Sequence, residues 1–512
     1  GYAPTPATPF VANTTNILSN DLGPGLTVTS LTQPANGTVT LGAAGAFRYT
    51  PNAGAETSAT FTYKVTSNGV ESQAAANVTI TLVGQVWYVN SSGANGVGTS
   101  SSPFNNLANA DVSSGAGDVV FVHTGAATTT GAITLDANQV LWGQGAAFSL
   151  GGSGLTIAAA GKPTLTGTVT LGGSSVLVSS LDISTTGAVG FTDNQAGAIT
   201  GVTVQNGVGV SATNAAAVDL TGVSASASGI TFTSLTSSSS TGKGLNLGGI
   251  GGTFTSGTTT VTNPAGIGID VQTSVAGGTI SLGTTSATSS GGTGVNLASN
   301  LGNVTFGALT VSPDTGQRGL LATENAGTLT VSGGTITTTG ATAVEITRAA
   351  GTTPLAVSLT TVNANGGSNG IYLQRTSGSF AVVGTGTAGS GGTIQNMVGA
   401  DGAVAGSGIY LDNATNVSLS RMQLNGFQNF AIRGLTVNGF TLASSVISGV
   451  NGNSAGAREG SVSFTELTGT ASVSSTNISG GLVDNFRVVN TSGTLNRITF
   501  SSVTIGANST AD

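Results

Sequence analysis

A short pattern of a small residue followed by an apolar, a variable and usually a second apolar residue recurs about every 25 positions along this chain. Its copies begin at residues 244, 268, 294, 319, 343, 370, 408 and 431, which are 24, 26, 25, 24, 27, 38 and 23 residues apart. Alternating apolar residues indicate a strand with one buried face. A period of this length predicts a solenoid, in which each repeat buries its apolar face only against its neighbours.

Short strands between Gly, Asn and Ser turns at this period predict a right-handed parallel β-helix. The first apolar residue of each copy is then expected to stack on the next copy as one inward ladder. The predicted ladder residues are Leu245, Ile269, Val295, Leu320, Val344, Ile371, Ile409 and Ile432.

Composition excludes several classes of protein. Only 12 Lys and Arg occur among 512 residues, and the net charge is −7, so no basic stripe could neutralise nucleic-acid phosphates. The absence of cysteine excludes a disulfide framework and thiolate metal sites. No apolar run reaches the about 18 residues that span a bilayer. We interpret the chain, which starts at Gly1 without a signal peptide, as a mature secreted protein or a fragment of one.

Residues 1–83 differ from the remainder and predict a small antiparallel β-sandwich. Five strands are expected about ten residues apart, with Asn36-Gly37 and Asn68-Gly69 as hairpin turns between them. The predicted strands are Leu26 to Leu31, Thr38 to Leu41, Ala46 to Thr50, Thr60 to Thr66 and Asn77 to Leu82.

The same segment resembles the cadherin-like or Ig-like tandem repeats of large bacterial surface proteins. The resemblance rests on Asn20-Asp21-Leu22-Gly23, Leu26 to Ser30, Asn36 to Val39, Phe47 to Pro51 and Phe61 to Val65. It implies a spacer module in a secreted, cell-surface protein. It also makes Asp21 the one candidate calcium ligand, because acids bind calcium between cadherin-like modules. A plain Asx-turn at Asp21 is the alternative, and no other cofactor is expected.

Residues 84–512 are predicted to form the β-helix, with 84–145 as a capping segment and the first coils. Val86 to Asn90, Gly98 to Ser100 and Pro103-Phe104 resemble the opening of pectin-lyase-fold β-helices in secreted bacterial proteins. Asn105 to Val112 is predicted as a short helical turn that caps the first coil, as the resemblance implies. Gly117 to Val122 and Gln139 to Gly143 are predicted as the first true coil strands.

The residue between two inward apolar residues of a strand points outward. Neighbouring coils, about 4.8 Å apart, should therefore bring six side chains into one patch: Glu345, Tyr372, Gln374, Tyr410, Asp412 and Arg433. Aromatic rings stack on sugar C–H groups, while carboxylate, amide and guanidinium groups bind hydroxyls. The patch is a candidate glycan-binding site, bordered by a predicted loop from Gly384 to Gly406. Ordinary exposed residues and strand-stabilising tyrosine pairs are the alternative.

Enzymes of the pectin-lyase fold use clustered acids on such a face, and this chain departs from their patterns. It has no close Asp-Asp pair and no Asn-Thr-Asp, Gly-His-Gly or Arg-Ile-Lys motif. Glu345 and Asp412 are expected roughly 10 Å apart by strand spacing, near the upper limit for an inverting glycosidase. His123 is the only histidine, which excludes a catalytic triad and a multi-histidine metal site. We expect no catalytic residue and no enzymatic activity.

The sequence therefore predicts an extracellular structural and adhesive protein, a stalk or filament subunit that binds extracellular polysaccharide or a cell surface. The alternative is a polysaccharide lyase or glycoside hydrolase of the pectin-lyase fold. Ile498 to Phe500 and Val503 to Ile505 still have the coil pattern, with seven residues beyond them. This pattern predicts head-to-tail self-association, with the segment Ala3 to Phe10 or the β-sandwich of a second copy covering the last coil.

Overall fold

The structure, a computed structural model, describes residues 10–11, 16–51, 58–80, 85–150, 155–194 and 197–507. The fold is nearly all β, with a small antiparallel region at the N-terminus and a parallel β-solenoid of about 13 turns, as predicted. The chain forms two compact units. One comprises residues 1–167 and 171–182, and the other comprises residues 168–170 and 183–512.

Two small antiparallel sheets form the N-terminal sandwich. One sheet has the order β1-β4-β3, and in the other β2, β6 and β7 all pair with β5. The sheets share a core in which Tyr49 and Phe61 are buried and the rings of Phe47 and Phe61 meet edge to face at 5.6 Å. A short 3₁₀ helix spans Ala43–Gly45. The strands are β1 Phe10–Val11, β2 Thr27–Leu31, β3 Gly37–Leu41, β4 Phe47–Pro51, β5 Ala59–Ser67, β6 Val70–Glu71 and β7 Ala76–Ile80.

Of the two predicted hairpin turns, one is confirmed and one is wrong. Asn68 and Gly69 both have positive φ and join β5 to β6 as a two-residue turn. Asn36-Gly37 joins β2 to β3, which lie in different sheets and do not pair. Gly37 serves packing instead, since a Cβ there would overlap the ring of Tyr49, whose Oη donates to the Asn36 carbonyl at 2.9 Å. The predicted domain boundary near residue 84 falls at residues 81–84, outside the described ones.

Parallel coils begin at Val86 in the first unit. β8, β9, β11 and β16 pair in parallel, so the first coil strand is Val86–Val89, one coil before the predicted Gly117 to Val122. The predicted helical turn is confirmed as α1, Leu107–Ser113, whose Asn106 side chain accepts from the Asn109 amide and whose Leu107 is buried. The strands between residues 86 and 179 are β8 Val86–Val89, β9 Val119–Val122, β10 Ile133–Leu135, β11 Val140–Gly143, β12 Phe148–Leu150, β13 Leu155–Ile157, β14 Thr164–Leu165, β15 Val169–Leu171 and β16 Leu177–Ser179, of which β12 and β13 pair with each other in antiparallel orientation.

The coils of the second unit have three parallel faces: the first holds the ladder residues Leu245 to Ile432, the third holds β35, Gly392–Gln395, and β37, Met422–Phe427, and the second lies between them along each coil. Their strands are β17 Asp182–Thr186, β18 Phe191–Asp193, β19 Ile199–Thr213, β20 Val218–Thr221, β21 Val223–Ser238, β22 Leu245–Gly248, β23 Thr253–Thr262, β24 Ile269–Gln272, β25 Thr279–Thr288, β26 Val295–Ala298, β27 Asn303–Ser312, β28 Leu320–Thr323, β29 Leu329–Val331, β30 Gly334–Thr339, β31 Val344–Thr347, β32 Thr353–Leu359, β33 Thr361–Asn365, β34 Asn369–Val382, β35 Gly392–Gln395, β36 Ser407–Ser420, β37 Met422–Phe427, β38 Phe430–Ala443, β39 Val446–Asn451, β40 Gly460–Ser474, β41 Asn477–Ile478, β42 Asp484–Val489, β43 Leu495–Ser501 and β44 Thr504–Ile505.

The predicted inward ladder is confirmed on the first face. Each ladder residue from Leu245 to Ile432 pairs in register with the next, and all eight are 0 % exposed. The ladder continues through Val462 to Phe486. Because inward and outward residues alternate along a strand, this register also fixes one outward row, formed by the residue after each ladder residue.

Candidate functional site

The outward row brings the six predicted site residues onto four successive strands. Glu345, Tyr372, Tyr410 and Arg433 are paired in register, one on each strand. Two residues further along, Gln374 pairs with Asp412. We call this group of six the Tyr372 surface. Since paired strands lie about 4.8 Å apart, backbone pairing holds the surface together independently of its side chains.

The two tyrosines of this surface differ in what they can offer a ligand. Their rings meet edge to face, with centroids 5.3 Å apart and an interplanar angle of 72°. Tyr410 is only 4 % exposed, and the Arg433 guanidinium lies 5.9 Å from its ring centre. Tyr372 is partly exposed. Tyr372 therefore presents the accessible ring, and the buried ring of Tyr410 packs against it.

Both tyrosines are kept neutral by their surroundings. Burial raises the pKa of the Tyr372 hydroxyl, and the neighbouring Tyr410 and the negative charges of Asp412 and Glu345 raise it further. Burial and Asp412 also raise the pKa of Tyr410, while Arg433 acts in the opposite direction. The hydroxyls are therefore available as neutral donors and acceptors near neutral pH.

Two amides orient the Asp412 carboxylate. Gln374 Nε2 donates to Oδ2 at 3.1 Å, and Asn413 Nδ2 donates to Oδ1 at 2.8 Å. Asn413 has a φ of 51°, which places it in the left-handed turn that ends the first-face strand. The carboxylate is thus held in one orientation beside Tyr372 and keeps spare acceptor capacity on both oxygens.

The wall beside the surface differs from the predicted loop. The expectation of one loop from Gly384 to Gly406 is wrong, because β35 on the third face divides it into a turn at residues 384–391 and a loop at residues 396–406. We call the second piece the wall loop. Arg433 reaches it, donating to the carbonyls of Gly402 at 2.7 Å and Ala403 at 3.1 Å.

Two further side chains clamp the wall loop. Asn429 Nδ2 donates to three of its carbonyls, those of Ala400, Ala403 and Ala405. Glu459 is 0 % exposed, and its carboxylate accepts from the Gly402 amide at 2.8 Å. The same carboxylate accepts from two amides of the following coil, those of Asn453 and Ser454. The wall loop is therefore held in place before any ligand binds.

Two cations that sequence analysis did not assign to the outward row bind its acids. Arg318 Nε donates to Glu345 Oε2 at 2.8 Å, and Lys243 Nζ lies 2.5 Å from Asp270 Oδ2. Each cation stands two positions before a ladder residue and pairs with the outward acid of the next coil, 27 residues later. This spacing is a signal that could have revealed both pairs.

Asp270 belongs to a satisfied polar network away from the Tyr372 surface. Its carboxylate is 0 % exposed and also accepts from Gln272 Nε2 at 2.6 Å and Asn296 Nδ2 at 2.7 Å. Lys243 Nζ donates to Asn246 Oδ1 at 2.8 Å as well. With its hydrogen bonds made internally, this network stabilises the coils and offers little to a ligand.

The remaining titratable candidates have structural partners. His123 packs against the rings of Tyr88 and Phe121, and burial lowers its pKa, opposed by a hydrogen bond with Gln144. Asp21 Oδ2 accepts from the Tyr63 hydroxyl at 2.8 Å. Burial together with Asp21 raises the pKa of Tyr63 to about 12. In the part of the chain that the structure describes, no three His, Cys, Asp or Glu side chains are grouped as a metal site would require.

Comparison with protein families identifies the N-terminal segment. Residues 3–81 match the bacterial Ig domain family, so a bacterial Ig domain precedes the parallel β-solenoid. This arrangement is typical of extracellular proteins. No helix of the described residues is long and apolar enough to cross a membrane. A search of curated proteins found no match.

Comparison with solved structures corrects one expectation. A Family 28 exopolygalacturonase from Yersinia enterocolitica matches with 12% identity, covering 88% of this chain and 83% of that chain, at a TM-score of 0.17. Because this match is an enzyme, the expectation that the chain has no enzymatic activity is contradicted, and we withdraw it. At this TM-score no residue role is transferred from one protein to the other.

Proposed function

We propose that this chain is an extracellular structural and adhesive protein whose solenoid binds glycan at the Tyr372 surface. The proposal rests on one observation, an accessible aromatic ring flanked along a rigid face by oriented carboxylates and an amide. Sugars bind proteins through this combination, because C–H groups pack on the ring while hydroxyls donate to fixed acceptors. Sites on regular strands also hold such groups more accurately than sites on loops.

The test is binding of the purified chain to a panel of neutral, acidic and amino-sugar oligosaccharides. Tyr372→Ala removes the accessible ring and is expected to weaken binding about tenfold, or 1.4 kcal/mol. Gln423→Ala is the matched control, because Gln423 is exposed on the third face. Equal affinity in the parent and Tyr372→Ala chains, or no binding to any member of the panel, would reject the proposal.

A polysaccharide lyase or glycoside hydrolase is the second candidate. Its supporting observation is that Glu345 and Asp412 lie on strands two apart on one face, roughly 10 Å by strand spacing. The same panel is therefore assayed for new reducing or unsaturated ends. Turnover that is lost in both Glu345→Gln and Asp412→Asn would assign the site to catalysis, and binding without turnover would favour the structural role.

We retain head-to-tail self-association as part of the proposal. The expected cover is the segment Ala3 to Phe10, which lies largely outside the described residues, or the β-sandwich of a second copy. Sedimentation of the isolated chain across a dilution series tests it. Species that grow with concentration would support association, and a strict monomer at every concentration would reject it.

A further inference from the structure

The charged and amide donor groups of the Tyr372 surface each make a hydrogen bond within the protein. Arg433 donates to two wall-loop carbonyls, Arg318 donates to Glu345, and Gln374 donates to Asp412. A uronic-acid carboxylate is recognised by free cations or free N–H groups, above all by a bidentate guanidinium. Glu345 already offsets the charge of Arg318, whereas Arg433 donates through Nη1 alone and keeps further N–H groups. Discrimination against uronic acids therefore depends on the Asp412 carboxylate, which repels a ligand carboxylate.

Acceptors on the same surface remain available. Asp412 has no cationic side chain within 4 Å among the described residues, and its two bonds come from neutral amides. Glu345 uses Oε2 for Arg318, and its Oε1 accepts no hydrogen bond from the described residues. These two carboxylates lie on either side of the accessible Tyr372 ring. A ligand that binds to these acceptors must supply hydrogen-bond donors. A positively charged donor group binds most favourably, because the face of the ring and the carboxylates both attract it.

We infer that the Tyr372 surface selects protonated amino sugars, such as glucosamine units of a de-N-acetylated glycan, over uronic acids. The inference rests on the glycan-binding function proposed above. The ammonium group donates to Asp412 while the pyranose ring packs on Tyr372. The negative charges of Asp412 and Glu345 help to raise the pKa of the Tyr372 hydroxyl, and the same negative charges attract an ammonium group.

Arg375 is a further cation close to the Tyr372 surface. It follows Gln374 in the turn, with a φ of 53°, and its side chain is exposed. No ion pair joins it to Asp412 or Glu345 among the described residues. Arg375→Gln therefore serves as the charge control, because it removes a neighbouring charge without touching the acceptors.

The experiment is calorimetric titration of the full chain with three oligosaccharides of equal length. These are glucosamine, N-acetylglucosamine and galacturonate oligomers, used at low salt and at a slightly acidic pH that keeps the amine protonated. A charge-assisted hydrogen bond is roughly twice as strong as a neutral one, so glucosamine oligomers are expected to bind about tenfold more tightly than their acetylated counterparts. Galacturonate oligomers are expected to bind most weakly.

Asp412→Asn keeps the shape of the side chain and removes its charge. Asp412→Asn is expected to abolish the preference for glucosamine. Raising the pH until the amine is neutral should have the same effect. Arg375→Gln is expected to leave the preference intact. Tyr372-dependent binding without a glucosamine preference, or with galacturonate preferred, would overturn the inference and leave the glycan-binding function standing. A preference that survives Asp412→Asn in a folded variant would also overturn it. Failure of all three oligomers and of the wider panel would instead reject the function itself.

Discussion

Replacing Lys243 by alanine should destabilise the second unit more than removing the charge of its partner. Lys243 Nζ lies 2.5 Å from the Asp270 carboxylate, which is 0 % exposed. In Lys243→Ala the carboxylate stays buried with only the amides of Gln272 and Asn296 as partners. In Asp270→Asn no buried charge remains, and Lys243, whose side chain is 39% exposed, can extend into water.

The magnitude follows from this geometry. Two unit charges 2.5 Å apart attract by about 7 kcal/mol at an effective dielectric constant of about 20. Water around the half-exposed ammonium reduces that value, and breaking a buried ion pair costs about 3–5 kcal/mol in proteins. We therefore expect Lys243→Ala to cost about 3 kcal/mol and Asp270→Asn about 1 kcal/mol. The double variant should resemble Asp270→Asn, which gives a coupling of about 3 kcal/mol.

Native-state hydrogen exchange is the suitable assay, because solenoids open locally and a single unfolding transition is not expected. The measured quantity is the free energy of opening of β22, β24 and β26, with the distant β38 as internal reference. Unchanged protection of β24 in Lys243→Ala would refute the reasoning. An Asp270→Asn variant that loses as much protection as Lys243→Ala would refute it equally.

The other two predictions concern the core and one loop. Ile371→Asp places an unpaired carboxylate between Val344 and Ile409 and should cost more than about 4 kcal/mol, whereas Ile371→Val should cost about 1 kcal/mol. Native-state hydrogen exchange that finds β34 equally protected in both variants would contradict the coil register. Glu466 accepts from the amide and the hydroxyl of Thr491, and these hydrogen bonds lower its pKa below the ordinary 4.5. These bonds hold the loop between β42 and β43. The stabilisation that they give is therefore complete above about pH 4.5, and it is lost as the pH falls through the lowered pKa of Glu466 in the folded state. Hydrogen exchange of the loop, corrected for intrinsic rates, should accelerate over that interval, and Glu466→Gln should remove the pH dependence.

The first-face ladder could be predicted because its signal is local. Each copy shows its own alternation of inward and outward residues, and the copies need only be aligned to place Ile371 between Val344 and Ile409. The positions of Tyr372 and Tyr410 in one row follow from the same alignment. Repetition thus replaces the long-range information that single sequences ordinarily lack.

Side-chain partners could not be obtained in the same way. The alternation marks Tyr410 as outward, yet Tyr410 packs against Arg433 and Tyr372 and is almost wholly buried. The Asn36-Gly37 turn was misassigned because a turn signal reports local backbone conformation and contains no information about which strands pair. β35 was missed because its pattern, Gly392–Gln395, is short and lies within a run of glycines.

The in-register ladder has a consequence for how such a gene can change. Each coil pairs with the one before it and the one after it, so loss of residues 269–294 would set Val295 directly on Leu245 with the same alternation. Recombination between repeats can therefore lengthen or shorten the protein in whole coils while the buried contacts remain apolar on apolar. The outward row has no such protection, since every exchange brings a new set of neighbours together. Relatives of this chain should accordingly keep their interiors alike and diverge first in what their surfaces bind.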